Sequence, residues 1–337
     1  MALPRGGAGF GWARRSDVAE QDAPHSAWNR AAMAVLHGDP LCCRTEWQLS
    51  ACETMHPSFR PELLVAGDAV LAFARAHSPR LGAMLVPFEA SWCYGCPLLG
   101  EGAVDALAQW LDALRGHGER PAVVVTGMAP DGATLSRIER EFARSHEVVA
   151  GEVATQCVAS LDGGLDGYLS RRSSHFRRRL RQADRRARGL GVDFERCAPS
   201  SVAEASAVYA RMTAVEARSW KGLADCGMNT GASLPFYGRM LARLAVGGLA
   251  RVMFARHDDK DVGFVYGGLV DGVYRGQQFS YDEQWHAHSL GNLLQLAQLT
   301  WLGEERARRY DLGPHMPYKE RWAETTVAMQ TRLLLSR

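Results

Sequence analysis

The sequence predicts an α+β chain of two tandem domains, each a mostly antiparallel twisted sheet flanked by helices, the first a degenerate version of the second. Three observations carry this. The chain has 337 residues, which at about 150 per domain suggests two domains or one duplicated. Hydrophobic residues make up 47% and charged residues 23%, the balance of a chain able to bury a core. The order helix, helix, antiparallel meander, helix, strand, strand is legible over residues 200–337, and a weaker version of it precedes. No residue-level repeat links the halves, so duplication is inferred from element order alone. The expected division is a flexible segment at 1–24, a degenerate domain at 25–160 and a second domain at 161–337.

The elements follow from local patterns. Residues 1–24 are Gly-rich and polar without periodicity, which reads as a flexible lead-in. A helix is expected over Ala27–Leu36. The apolar runs Leu63–Ala66 and Ala69–Ala76, split by Gly67-Asp68, read as a hairpin, and Leu81–Phe88 adds a third strand. Val104–Leu114 and Thr134–Arg144 are helical, Ala122–Thr126 is a buried strand, and Val148–Ser160 is extended. Ser201-Val202-Ala203-Glu204 is a capping box opening a helix with Val208, Met212 and Val215 on one face. Ser233-Leu234-Pro235 opens another, ended by Gly247-Gly248. Leu249–Arg256, Val262–Val270 and Val273–Tyr281 form a meander, with Asp271-Gly272 a strong two-residue hairpin signal. A helix over Ser289–Arg306, a strand at Arg309–Leu312 and a strand at Thr325–Leu335 complete the chain.

Composition removes several function classes. The net charge of +2 excludes a strongly basic nucleic-acid binder on bulk charge. No apolar window reaches the roughly 18 residues of a membrane helix, and the first residues lack a signal-peptide h-region, so a cytoplasmic protein is expected. Charge is uneven: residues 1–150 carry 13 Arg, no Lys and 17 acids, whereas the rest carries 26 basic and 20 acidic side chains. Only Lys221, Lys260 and Lys319 are lysines. The eight scattered cysteines form no disulfide framework. Cys93-Tyr94-Gly95-Cys96 has no second pair at zinc spacing and reads as two small residues beside a tight turn. No Walker loop, G-x-S-x-G elbow, H-E-x-x-H or Rossmann fingerprint occurs. His286, His288 and His315 lack a carboxylate-rich third ligand set, so no metal is expected.

Four segments can carry chemistry. Gly276–Glu283 ends a strand that runs, through His286 and His288, into a helix start at Ser289-Leu290-Gly291-Asn292. A helix N-terminus offers free N–H groups and a positive dipole end, a site for phosphate or oxyanion, or merely a capped helix. Tyr310–Trp322 ends a strand at Gly313-Pro314 and places Tyr318-Lys319 in a tight connection. There Lys319 stabilises an oxyanion or snorkels over Trp322. Glu216–Gly222 ends a helix with Trp220 and Lys221, lining a cleft or simply capping. Arg171–Arg188 holds nine arginines and one acid, with Phe176, Leu180, Ala183 and Ala187 at helical spacing. Its basic face suits cofactor phosphates, RNA, or an acidic carrier protein or leader peptide, or is a solvated face. No aromatic stacking set accompanies it, which counts against RNA.

With these segments in place, residues 165–335 resemble an acyltransferase domain of the GNAT superfamily. The branch is that of the cellulose-biosynthesis-associated acetyltransferase and the Fem-type peptidoglycan aminoacyltransferases. The resemblance rests on Ser173-Ser174-x-x-Arg177, Glu216-x-x-Ser219-Trp220-Lys221, Tyr281-Asp282, Ser289-Leu290-Gly291 and Tyr318-Lys319-x-x-Trp322, in the family's order. It implies tandem GNAT-like folds, the first degenerate, and transfer of an acyl group to an amine of a small molecule or peptide. It further implies acyl-CoA as co-substrate, its phosphates at Ser289, Leu290, Gly291, Asn292 and Arg177. The family's Gln/Arg-x-x-Gly-x-Gly/Ala loop reads His288-x-x-Gly291-x-Leu293 here, and Fem-type relatives use aminoacyl-tRNA instead. Asp282, Glu216 and His288 are the candidate bases, Tyr318 or Tyr281 the proton donor to the leaving group, and Lys319 the oxyanion holder. Trp220, Lys221, Tyr281, Gln278 and His315 are the expected substrate-binding residues. A tRNA-dependent ligase and a catalytically silent binding module are the alternatives.

Overall fold

The computed structural model describes residues 14–34 and 39–337. The chain divides into two compact units: unit 1 is residues 1–154 together with 328–337, and unit 2 is residues 155–327. The boundary expected at 160/161 therefore falls at 154/155. The second domain expected over 161–337 also gives up residues 328–337, most of its last strand, to unit 1. Most of the segment expected to be flexible at 1–24 lies outside the described residues. From residue 14 onward it is a short strand and a helical turn.

Unit 1 begins with β1 (Arg14–Arg15), α1 (Val18–Gln21), α2 (Ala27–Ala34) and α3 (Thr45–Thr54). The Leu36 end of the expected helix lies outside the described residues. The hairpin forms as β2 (Arg60–Ala66) and β3 (Ala69–Ser78), with Gly67 at φ +59°. β4 (Gly82–Pro87), β5 (Leu98–Leu99), α4 (Ala103–Gly116), β6 (Ala122–Met128), α5 (Ala133–Phe142) and β7 (His146–Ala150) follow. β2, β3 and β4 are an antiparallel meander; β6 lies parallel to β4, Met84 facing Ala122. The chain returns later as β14 (Thr325–Ser336), which pairs antiparallel with both β6 and β7. Trp28, Phe73, Phe88, Leu107 and Trp110 are fully buried in this core. Cys93 has φ +59° and Cys96 is buried, so the C-x-x-C is part of a tight turn. Among the described residues no group of His, Cys, Asp and Glu is arranged to hold a metal ion, and no helix is long and apolar enough to cross a membrane.

Unit 2 repeats the plan. It runs β8 (Ala154–Ser160), α6 (Gly164–Ser170), α7 (Ser174–Gly189), β9 (Asp193–Cys197), α8 (Val202–Glu216), α9 (Trp220–Leu223) and α10 (Ser233–Val246). The meander is β10 (Ala250–His257), β11 (Lys260–Val270) and β12 (Val273–Tyr281). A 3₁₀ turn (Glu283–His288), α11 (Leu290–Glu304), β13 (Arg309–Pro314) and a second 3₁₀ turn (Lys319–Arg321) follow. Asp271 and Gly272 both have positive φ, +44° and +71°, as a hairpin turn that matches strand twist requires. The Ser201 side chain accepts the Glu204 N–H, while the Glu204 carboxylate reaches the Ser200 N–H rather than that of Ser201, a capping box shifted by one residue. β8, β13, β12, β11, β10 and β9 lie side by side. Only β12 and β13 are parallel, and α11 is the crossover that a parallel pair needs. Both units thus share meander, helix and parallel strand, the tandem order read from the sequence.

Candidate active site

The parallel ladder between β12 and β13 is only three residues long. Val273, Tyr274 and Arg275 face Arg309, Tyr310 and Asp311, although β12 continues to Tyr281 and β13 to Pro314. Both strands bulge where the ladder ends. On β12, Tyr266 faces Gln278 but Gly267 faces Gly276, so Gln277 is the extra residue. On β13, the register against β8 shifts between Asp311 and Gly313. At the apex lies a buried ion pair, Arg275 Nη1 to Asp311 Oδ1 at 2.8 Å, with side chains 2% and 1% exposed. Asp311 Oδ1 also accepts the Gly313 N–H. Gly313 sits at φ +83°, and a Cβ there would lie 2.7 Å from Arg275 Nη1, so glycine alone fits.

Beyond the apex the two arms carry polar groups. Phe279 on β12 meets the Tyr318 ring edge to face at 5.6 Å. Next to Tyr318, the buried Lys319 donates to the Pro314 carbonyl at 3.0 Å. Burial is the main cause that lowers its pKa to about 8, and Arg275 adds to it. Burial also pushes the Tyr318 phenol up to about 12, so this phenol stays protonated at neutral pH. Lys221 donates to Gln278 Oε1 at 3.0 Å and to the Phe279 carbonyl at 2.9 Å, and Gln278 donates in turn to the Tyr237 hydroxyl. Burial lowers the Lys221 pKa, opposed by Glu216 3.7 Å away.

The start of α11 opens on a cleft of about 500 Å³. Its walls include Arg171, Arg172, Arg179 and Arg186, together with Ser289 and Asn292 at the helix start and Arg321 from the second 3₁₀ turn. α7 lies along it because Leu180, Ala183 and Ala187 are its buried stripe. Arg171 and Arg172 are tied to Glu324. Arg179, Arg186 and Arg321 have no acidic partner among the described residues. Ser289 is left-handed, φ +60°, and gives α11 no side-chain cap. The first N–H groups of α11 therefore face a basic cleft with no capping side chain, an arrangement that favours an anion.

Residues 174–320 match the family model described as the acetyltransferase (GNAT) domain. Unit 2 is similar over most of its length to a GNAT acetyltransferase domain. FemX has the same fold, with a TM-score of 0.63 at 11% identity over 90% of this chain and 94% of that one. A conserved protein of unknown function from Bacteroides thetaiotaomicron gives 0.60 at 8% identity over 95% and 98%. The C-terminal domain of a putative lysylphosphatidylglycerol synthetase from Agrobacterium fabrum gives 0.56 at 14% identity over 92% of each chain. At these identities the likeness is one of fold. No curated protein matches the sequence significantly.

Within unit 2, several expected residues stand where the sequence placed them and several have other work. Lys319, Tyr318, Lys221 and Gln278 gather at the opened strands, and Ser289 and Asn292 line the cleft. Asp282 is not an open base: one carboxylate oxygen caps Gln284 and the other pairs with Arg218 at 2.8 Å. Glu216 is fully buried, accepting from the Met228 N–H and the Ser219 hydroxyl. Arg177 is not part of the cleft lining and donates to the Leu169 and Ser170 carbonyls. His288 is exposed beside Trp285, and His315 is exposed and paired with Glu320. Tyr281 packs on Gly291, where a Cβ would lie 2.9 Å from its ring. The missing Cβ at Gly291 therefore leaves room for that ring. Leu290 and Leu293 are core residues, and Trp220 is exposed at the start of α9. The sequence reading missed Arg275, Asp311, Tyr237 and the cleft role of Arg321. The pairing of Arg275 with Asp311 spans 36 residues and leaves no local pattern.

Proposed function

We propose that unit 2 is an N-acyltransferase that takes an acyl group from acyl-CoA, or from an acyl carrier, and delivers it to an amine of a small molecule or peptide. The observation that carries this reading is the arginine-lined cleft at the uncapped start of α11, beside a β12–β13 pair that opens after three residues. The chemistry of the cleft fits a donor with several phosphates: arginines make charge-assisted bonds to phosphate, and the helix start adds N–H donors and a positive dipole end. The opened strands present backbone amides to which an extended amide-bearing arm could pair.

In the reaction a neutral amine attacks the acyl carbonyl, a C–N bond forms, and the C–S bond breaks with loss of thiolate. The Lys319 ammonium uses one N–H on Pro314 and holds the developing oxyanion with another. Tyr318, protonated at neutral pH, donates to the leaving sulfur. With Asp282 and Glu216 engaged in the fold, the amine's surplus proton passes to solvent rather than to either carboxylate.

A second reading has one observation in its favour. Arg178, Arg181 and Arg185 are exposed, have no acidic partner among the described residues, and lie outside the cleft lining, as a longer polyanion such as aminoacyl-tRNA would use. An acidic carrier protein or leader peptide would use the same face. Thermal denaturation with CoA, acyl-CoAs of several lengths and bulk tRNA separates the readings. A ligand at 100 times its Kd adds about 2.7 kcal/mol. A shift with acyl-CoA that persists in salt supports the first reading, and a shift with tRNA alone that collapses with salt replaces it with the second. No shift with any of them would refute the acyl-CoA donor and leave a carrier-borne donor or a silent module.

A further inference from the structure

The buried pair at the apex of the opened strands is joined to Lys319 by a short run of contacts. Asp311 Oδ1 binds both Arg275 Nη1, at 2.8 Å, and the Gly313 N–H, at 2.9 Å. Gly313 is followed by Pro314, whose carbonyl takes the Lys319 ammonium at 3.0 Å. Asp311 therefore fixes the turn that holds the ammonium and also balances the guanidinium nearest to it. We propose that Asp311 is a positioning residue for the acyl-transfer site, keeping Lys319 both in place and charged. The proposal rests on the reading of Lys319 as the oxyanion holder.

Charged and titratable groups from several elements surround Lys319, the neighbouring Tyr318 ring among them, 5.7 Å from the ammonium. Arg275 on β12 and Lys221 on α9 favour its neutral form, together with burial. Asp311 on β13 and Cys157 on β8 favour the charged form. Arg309 approaches the second Asp311 oxygen at 3.5 Å. Two cations thus converge on Asp311, and its loss would leave Arg275, the one that acts on the lysine, without its balancing carboxylate. Asp311→Asn keeps the shape and an acceptor for the Gly313 N–H while removing that charge. A nearby carboxylate favours the charged form of a lysine, so the Lys319 midpoint should fall when that charge is removed.

The chain's three lysines make the test direct. Full-length protein labelled at lysine 13Cε gives three side-chain signals, with that of Lys319 assigned by its loss in Lys319→Met. The exposed Lys260 is the internal control. Titration of the wild type should give a Lys319 midpoint near 8. Asp311→Asn should lower it, and Arg275→Gln should raise it, while Lys260 stays fixed. If Asp311→Asn does not fold, the upward shift in Arg275→Gln carries the test alone. A Lys319 midpoint that moves in neither variant overturns the proposal. The pH–rate profile with acyl-CoA separates it from the reading of Lys319. An alkaline limb that follows the NMR midpoint supports both. A shifted midpoint with an unmoved limb keeps Asp311 as the residue controlling Lys319 and removes Lys319 from the chemistry.

Discussion

Replacing Lys319 with methionine should make the protein inactive and, near neutral pH, no less stable. The ammonium is buried, and its pKa falls from 10.5 to about 8. At 1.36 kcal/mol per unit, 2.5 units correspond to about 3 kcal/mol of unfavourable charging in the folded state. A group whose folded pKa lies below its unfolded one binds fewer protons when folded, so stability rises with pH between the two values. Below about 8 both states are protonated and the full cost is present; above 10.5 it is gone. Lys319→Met lacks this term throughout, though it leaves the Pro314 carbonyl unpaired at a constant cost of about 1–3 kcal/mol. The wild type should therefore gain on the variant by about 2.5 kcal/mol between pH 7 and pH 10. Urea denaturation of both proteins at pH 7, 8, 9 and 10 reads the difference, in which other titrations largely cancel. Two stability curves that stay parallel over that range would refute the argument.

Asp282→Asn preserves the cap on Gln284 and loses an ion pair with the half-exposed Arg218, so it should cost under about 1 kcal/mol and keep most of the turnover. A fall in kcat of about 10²-fold or more would restore Asp282 as the base. In Arg179→Gln and Arg186→Gln, acyl-CoA binding by calorimetry should weaken by about tenfold each, since a charged hydrogen bond contributes about 1.5–3 kcal/mol; unchanged Kd values would move the phosphates elsewhere. Gly291→Ala forces a Cβ against the Tyr281 ring and should cost about 1–3 kcal/mol in urea denaturation. Ser201→Ala removes the α8 cap and should cost about 1 kcal/mol, with no effect on KM.

What the sequence revealed and what it hid divide along physical lines. The meanders were legible because their strands are bounded by turn residues, and Asp271-Gly272 even adopts the positive φ values its chemistry demands. α7 was legible because one narrow apolar stripe sits among arginines. α3 was invisible for the opposite reason: residues Thr45 to Cys52 are all buried, so polar and apolar side chains alternate without a stripe. β9 is short and carries Asp193, Glu195 and Arg196, and its place at the sheet edge comes from pairing with β10. At the site, Lys319 stood out through scarcity and the α11 start through its position after a strand. The structural bonds of Asp282, Glu216 and Arg177 were not legible because a residue type suited to catalysis or phosphate binding equally suits a cap, a buried anchor or a clamp. Only partners distant in sequence decide between those uses.

The path of the chain through unit 1 imposes an order on synthesis. β6 presents Ala-Val-Val-Val, and the strand that covers its free side, β14, is completed only after all of unit 2 has been synthesised. Unit 2 is one continuous stretch and can finish folding first, although unit 1 is begun first. Until residues 328–337 arrive, β6 and β7 each lack a neighbour, and exposed apolar strand edges of this kind invite pairing with other chains. A protein truncated before residue 328 should thus hold all of unit 2 and an unfinished, aggregation-prone unit 1. Supplying the β14 segment as a separate peptide should reduce the aggregation of such a truncated protein.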